Sequence, residues 1–423
     1  MKHLEYPRIG ESCYEQRLSN GMLIRVVPKR GFARKYAFVA VDFGAIDTAF
    51  RKDGVSVRTP DGIAHYLEHK MFDLPEGSAD SMFAALGASP NAFTSYAMTA
   101  YHFSCTENFT DNLRILLRMV TTPHFTPESV EKERGIITQE IRMYEDNAYQ
   151  CVAEDLFAAL YREHPVRVSI PGTVESIGQI TAQSLYDCFR AFYQPSNMVL
   201  CVTGDVDARE VLAIAEEMTR RECTALPERC YGAPETMLPE KGRTLRRMEI
   251  SMPTFALGFK CEPAGRGMES MRREIIGDIA AEILVGESSP LYQRLYEDGL
   301  IDGEFSAGYE SIKDACLISA SGDSTDPEAV LEAILREAER ISHEGFDPEL
   351  FRRLKKSALG RRTRDLDSFE SICYRICAYQ FDGVDYFKFP EAYASVTPED
   401  VQDFLTTTIR RERAALSVIR PKE

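Results

Sequence analysis

His65-Tyr66-Leu67-Glu68-His69 places two imidazoles and a carboxylate within five residues of a 423-residue chain. The segment lies in Gly62-Ile63-Ala64-His65-Tyr66-Leu67-Glu68-His69-Lys70-Met71-Phe72, which has no Gly or Pro after its first residue. Such a run predicts a helix, and residues four apart then share one face. Two imidazoles on one face can grip a single metal ion, with Glu68 a turn from His65 and beside His69. Zinc suits two neutral imidazoles plus a carboxylate, with a fourth position left open. A second carboxylate near that open position can serve as general base, so the chemistry on offer is metal-assisted hydrolysis. The order H-x-x-E-H reverses the commoner H-E-x-x-H arrangement.

A third ligand has to come from another element. The helical stretch after Pro127 contains Glu133-Arg134-Gly135-Ile136-Ile137-Thr138-Gln139-Glu140. Glu133 and Glu140 are seven apart, two turns along one face. One of them can ligate the metal while the other supports the site; read alone, a glutamate-rich amphipathic helix is more often a solvated face.

The elements that must hold these residues alternate between strand and helix. Gly21–Val27 and Tyr36–Asp42 are β-rich and bounded by turn residues. The motif helix follows, then a helical piece at 78–86 and a strand-like stretch, Ala92–Cys105. Helix is expected over 127–162 and 182–192, and a short buried strand over 198–202. The second half repeats the plan. Phe125-Thr-Pro-Glu-Ser-Val130 resembles Phe346-Asp-Pro-Glu-Leu-Phe351, each with a good N-cap and then Pro at the first helical position. Ile180-Thr-Ala-Gln-Ser-Leu185 likewise matches Val396-Thr-Pro-Glu-Asp-Val401. The stretch from Thr224 to Arg243 is rich in Pro, Glu and Gly and is expected to be a linker. The expectation is an α+β chain of two related α/β domains, each a mixed or antiparallel sheet packed by helices. Their bounds are 1–223 and 244–423, with 224–243 between them.

Composition narrows the class. Hydrophobic residues at 44% and charged residues at 27% describe an ordinary globular protein. A net charge of −16 argues against nonspecific nucleic-acid binding and docking on anionic membranes. There is no secretory h-region and no apolar stretch of membrane-spanning length. The eleven cysteines are scattered without C-x-x-C pairs. They fit a reducing cytoplasm better than a disulfide framework.

Over nearly its whole length the chain resembles the pitrilysin and insulysin group of inverted-motif zinc peptidases, especially its small processing-peptidase branch. The resemblance rests on His65-x-x-Glu68-His69, the helix at 133–140, Asn91-Ala92-Phe93-Thr94-Ser95, His164-Pro165, Pro171-Gly172-Thr173 and Asn197–Asp205. It implies that His65, His69 and Glu140 bind Zn2+, that Glu68 is the catalytic base and that Glu133 supports the site. It also implies that the strand from about Ala92 to Tyr101 is an exposed edge onto which a peptide adds as an extra strand. Asn91, Ala92 and Phe93 would bind substrate there; Phe93, Tyr96 and Tyr101 could line pockets, with ordinary sheet packing the alternative for at least some of them.

Active members of that family carry an Arg and a Tyr in the second domain after a Gly- and Ser-rich turn. The turn is present at Gly286-Glu287-Ser288-Ser289-Pro290, but Tyr296 and Asp302 occupy the matching places, and Arg294 and Tyr292 are offset. The resemblance therefore implies a zinc endopeptidase acting on peptides or leader sequences. It would be the metal-bearing subunit of a heterodimer whose related partner supplies Arg and Tyr. A self-sufficient homodimer and a non-catalytic assembly subunit are the alternatives.

Overall fold

Seven strands form the first sheet: β1 (Lys2–Tyr6), β2 (Glu11–Arg17), β3 (Leu23–Pro28), β4 (Lys35–Val41), β5 (Ser89–Thr94), β6 (Thr99–Cys105) and β7 (Met198–Gly204). The helices of the first half of the chain are α1 (Ile63–Lys70), α2 (Ala79–Ala85), α3 (Phe109–Thr121), α4 (Pro127–Glu145), α5 (Ala148–Leu160), α6 (Ala182–Phe192) and α7 (Ala208–Met218). The second half supplies β8 (Arg243–Met248), β9 (Thr254–Cys261), β10 (Ser306–Ile312), β11 (Ala315–Asp323) and β12 (Ala414–Pro421). With them come α8 (Met268–Val285), α9 (Pro290–Glu297), α10 (Pro327–Glu344), α11 (Pro348–Arg364), α12 (Phe369–Phe381) and α13 (Pro398–Thr408). This computed structural model describes residues 1–220 and 223–422.

The strand orders establish the duplication. The first sheet runs β1-β2-β3-β7-β4-β6-β5 and the second β8-β12-β9-β11-β10. Without β1 and β2 the two orders coincide. In each, the pair closed by the last strand of the repeat is parallel (β3 with β7, β8 with β12) and its other ladders are antiparallel. The paired sequence landmarks behave alike as well. Thr181 and Thr397 both open their helices with a capping box. Thr126 Oγ1 accepts from the Ser129 N–H, and Asp347 Oδ1 from the Glu349 N–H.

Three expectations are refined. The stretch 92–105 is a hairpin, because the Ser95 N–H bonds the Met98 carbonyl (2.8 Å) and Ser95 Oγ accepts from the Ala97 and Met98 N–H groups. The long helix ends at Glu145, since Asn147 caps a new one by accepting from the Tyr149 and Gln150 N–H groups. The third refinement concerns the units themselves. By contacts, one unit comprises 1–141, 169–231 and 363–388; the other comprises 142–168, 232–362 and 389–423. A single cut at 224–243 thus misses two exchanged segments.

The exchange follows from where apolar stripes find cover. On α12, Phe369, Ile372, Cys373, Ile376 and Cys377 are buried at helical spacing, and they pack on β7 and β4 of the first sheet. The chain beyond α12 is tied to β3 by Arg25, which bonds Glu15 (2.6 Å) and Asp385 (3.3 Å). Its counterpart α5 packs on β12 and β9 of the second sheet. Gly258 of β9 permits that approach, for a Cβ there would lie 2.9 Å from Leu160. The expected linker is ordered at both ends. Arg229 pairs with Phe50 as a strand and reaches Asp42 and Asp47 (3.0 Å each). Glu235 accepts the N–H groups of Arg162, Glu163 and His164 and pairs with Lys260 (2.7 Å).

Candidate metal centre

An isolated helix of eight residues is marginal in water, so α1 depends on its surroundings. Every residue of α1 except His69 is buried. Full burial of Tyr66 and Leu67 stabilises this placement by roughly 1.5–3 kcal/mol for each side chain. Tyr66 donates to the Val130 carbonyl, and Lys70 bonds Asp73 and the Ser129 carbonyl, which fastens α1 to the start of α4. The entry to α1 is equally constrained. Gly62 has φ of 87°, and a Cβ there would sit 2.2 Å from the Pro171 carbonyl oxygen. Only glycine fits both the left-handed backbone and that approach, which accounts for Pro171-Gly172-Thr173 lying where it does.

α4 presents Glu133 and Glu140 to α1 while Val130, Ile137 and Ile141 face the core. His65 Nε2 lies 3.5 Å from Glu140 Oε1, and His69 Nε2 lies 3.5 Å from Glu140 Oε2. These three residues form a group able to hold a metal ion, their ligand atoms all within 4.8 Å of one another. The separations are long for N–H···O bonds. They match the spacing of about 3.4 Å between two donors each roughly 2.0–2.1 Å from one tetrahedral ion. His69 Nδ1 is 3.0 Å from Glu133 Oε1. A proton held in that bond leaves Nε2 as the lone-pair nitrogen turned toward Glu140. The donor set and its orientation therefore fit zinc. Among the described residues His65 Nδ1 has no comparable brace.

Electrostatics separates the carboxylates. Burial raises the pKa of Glu68 above the usual carboxylate range, against the pull of His65, the Thr94 bond and His69. The bond to His69 holds Glu133 below that range. Burial disfavours a charge on His69, but the Glu133 bond and the surrounding carboxylates outweigh it and raise its pKa. One carboxyl is thus tuned to take up a proton and another to remain an anion.

The structure brings His65, Glu68, His69, Glu133 and Glu140 together. The expected substrate residues lie on β5, the end strand of the first sheet. Ser95–Met98 is a hydrogen-bonded pair, so by antiparallel alternation 93–100 and 91–102 are bonded while 92–101 and 94–99 are not. Ala92 and Thr94 consequently aim their N–H and C=O groups at the open edge. Asn91 Oδ1 accepts the Ala92 N–H (2.9 Å), which agrees with that direction. Phe93 points to the other face, near Phe38, His102 and Tyr374. Of the stretch 92–101, only the part in β5 lies at an edge of the sheet. Tyr101 sits on the internal strand β6, fully buried and bonded to Tyr193 (2.7 Å), so it lines no exposed pocket. Sequence reasoning gave Thr94 no role, yet its hydroxyl donates to Glu68 Oε2 at 2.7 Å. Strand alternation from Ala92 was the signal available for it.

The second repeat holds no comparable group among the described residues. Arg294 is paired with Glu337 (3.0 Å), Tyr292 stacks on Tyr296, and Tyr296 is exposed.

Comparison with known proteins agrees with this division. Residues 57–174 match the insulinase (peptidase family M16) model, and residues 179–358 match the peptidase M16 inactive domain. An uncharacterized zinc protease of Bacillus subtilis, YmfH, is 36% identical over 432 residues, covering 100% of both chains. The crystal structure of an M16-like peptidase from Alicyclobacillus acidocaldarius superposes with a TM-score of 0.93 at 33% identity, covering 99% of this chain and 100% of that one. The "probable mitochondrial-processing peptidase subunit beta" of Schizosaccharomyces pombe is 25% identical over 54% of this chain and 50% of its own length. Relatives of this similarity, two matched domain models and a shared fold lead to one statement: the chain belongs to the insulinase family of peptidases, M16.

Proposed function

We propose that the chain is a zinc-dependent endopeptidase acting on extended, flexible peptides. The observation that carries this reading is the convergence of His65, His69 and Glu140 beside a buried Glu68 on the same short helix. Those three residues would hold zinc, with Glu133 fixing the His69 ring. When bound, zinc supplies a Lewis acid that polarises a peptide carbonyl and acidifies water. The open edge of β5 offers the C=O of Ala92 and the N–H and C=O of Thr94 to a peptide main chain, while Asn91 Oδ1 holds the Ala92 N–H. Such binding selects extended backbone first and side chains second. Glu68 keeps Oε1 clear of the Thr94 bond, takes a proton from the attacking water there, and returns it to the leaving amine nitrogen. Its burial favours that uptake.

The reading extends to a partner chain. Arg294 is engaged by Glu337, and the places expected for the second-domain Arg and Tyr hold Tyr296 and Asp302. A related chain supplying both groups, or a second copy of this one, would complete the site.

The test is cleavage of an unstructured peptide library by the purified zinc-loaded chain, with Glu68→Gln as control. Loss of cleavage in the control, with zinc still stoichiometric, is the expected result for a self-sufficient enzyme. Silence from a wild-type chain that holds zinc supports the two-chain form. Failure to hold zinc overturns the peptidase reading in favour of an assembly subunit.

A further inference from the structure

Glu68 has one hydrogen-bond donor among the described residues, the hydroxyl of Thr94 at 2.7 Å. That hydroxyl has a competing acceptor in Thr99 Oγ1 at 3.4 Å. The charged, closer oxygen wins, since bonds to ionised acceptors are shorter and about twice as strong. Thr99 is itself fixed: it is fully buried, and its hydroxyl donates to the Phe43 carbonyl at 2.8 Å. The buried Tyr101 and Tyr193 hydroxyls nearby meet at 2.7 Å. Thr94 therefore stands between a buried, hydrogen-bonded layer and a carboxylate that has no other anchor among the described residues.

The same residue ends the open strand. Thr94 belongs to the parity of β5 whose main-chain groups face outward, and its side chain points to α1 because strand side chains alternate. One residue thus meets an added peptide through its backbone and the base through its side chain.

We propose that Thr94 is a positioning residue, holding the Glu68 carboxylate in register with a peptide added along β5. This rests on the peptidase reading above. The hydroxyl fixes Oε2 and leaves Oε1 to handle the proton. Thr94→Val preserves shape and removes the donor, whereas Thr94→Ser keeps it.

The experiment compares the zinc-loaded wild type, Thr94→Val and Thr94→Ser on one cleavable peptide, with zinc content measured for each. Crystals of wild type and Thr94→Val are used to locate the Glu68 carboxylate. Expected for Thr94→Val is a kcat lower by roughly 10- to 100-fold, the worth of a bond to a charged group, with KM and zinc content unchanged. Thr94→Ser returns kcat to within about 3-fold of wild type, and Glu68 is displaced in the Val crystal. An unchanged kcat in Thr94→Val, a Ser variant as slow as the Val variant, or a Glu68 carboxylate that keeps its place each overturns the proposal. A wild type that does not hold zinc strikes the peptidase reading alone, a zinc-loaded wild type that cleaves nothing supports its two-chain form, and in either case the Glu68 position in the Val crystal decides whether Thr94 is its anchor.

Discussion

The two repeats share a strand order, a parallel closing pair and matched helix caps, yet their first long contact between helix and end strand is built from opposite chemistry. In the first repeat the short helix α1 turns Glu68 toward Thr94 on β5. In the second, the longer α8 carries no histidine and buries Ile275, Ile276, Ile279, Ala280 and Ile283. There Tyr309 of β10 lies against Gly277, where a Cβ would fall 2.4 Å from the ring. A polar contact in the first repeat stands where the second has apolar packing. The partner helices diverge likewise: α4 offers two carboxylates two turns apart, whereas α11 has one acidic residue, Glu349, in its first turn and is otherwise basic or apolar at charged positions. The scaffold is one invention used twice, and the site is a local choice of side chains on it.

The largest expected effect removes the contrast outright. His69→Ala deletes a donor and the group that Glu133 braces, so zinc affinity falls by at least about 100-fold in a chelator competition. Stoichiometric zinc retained by a His65→Ala, His69→Ala chain would put the metal elsewhere and break the comparison.

Acidification sharpens it from the other side. His164 lies in the second unit, buried, with Nδ1 accepting the Val166 N–H (3.1 Å). Burial lowers its pKa from the ordinary 6.5 to about 4. Between those values the unfolded chain takes up a proton that the folded chain refuses. The stability contributed by neutral His164 is full above pH 6.5 and is lost as pH falls toward 4, by up to about 3 kcal/mol. Denaturant titrations of the metal-free chain across this window, against His164→Asn (which retains an acceptor), measure it. An identical pH dependence in the two proteins would remove His164 as the source.

Glu133→Gln is next in size. It keeps the shape but loses the anion beside His69, and zinc affinity should drop roughly 10- to 100-fold with the fold intact. Competition with a fluorescent chelator reads this directly. Smallest is Gly277→Ala in the second repeat, where overpacking against Tyr309 should lower stability by about 1–2 kcal/mol while zinc affinity stays at the wild-type value. A simultaneous loss of zinc would show that the two repeats are not independent in this respect.

Much of the site was legible along the chain because helices convert spacing into direction. His65 and His69 at i and i+4, and Glu133 and Glu140 at i and i+7, need only a helix to share a face. The caps at Thr126, Asp347, Thr181 and Thr397 were legible for a similar reason, being local bonds between neighbours. Whether Tyr101 lines a pocket or packs within the sheet was left open along the chain because an aromatic residue on a strand has two faces and two neighbours to choose from. Position in the sheet decided that β6 is internal. Thr94 escaped notice since its partner, Glu68, is 26 residues away in sequence.

The sequence alone determined the motif and the duplication, properties carried by short-range periodicity and order, while the pairing of Glu133 and Glu140 with the two imidazoles was implied by the family resemblance. Tertiary structure decided which carboxylate meets both imidazoles, which strand is open and which sheet receives α5 and α12. Those outcomes depend on what lies across a fold from each side chain. An apolar stripe at helical spacing states that a helix must be covered; it does not state by which sheet, and only packing of the whole unit settles that.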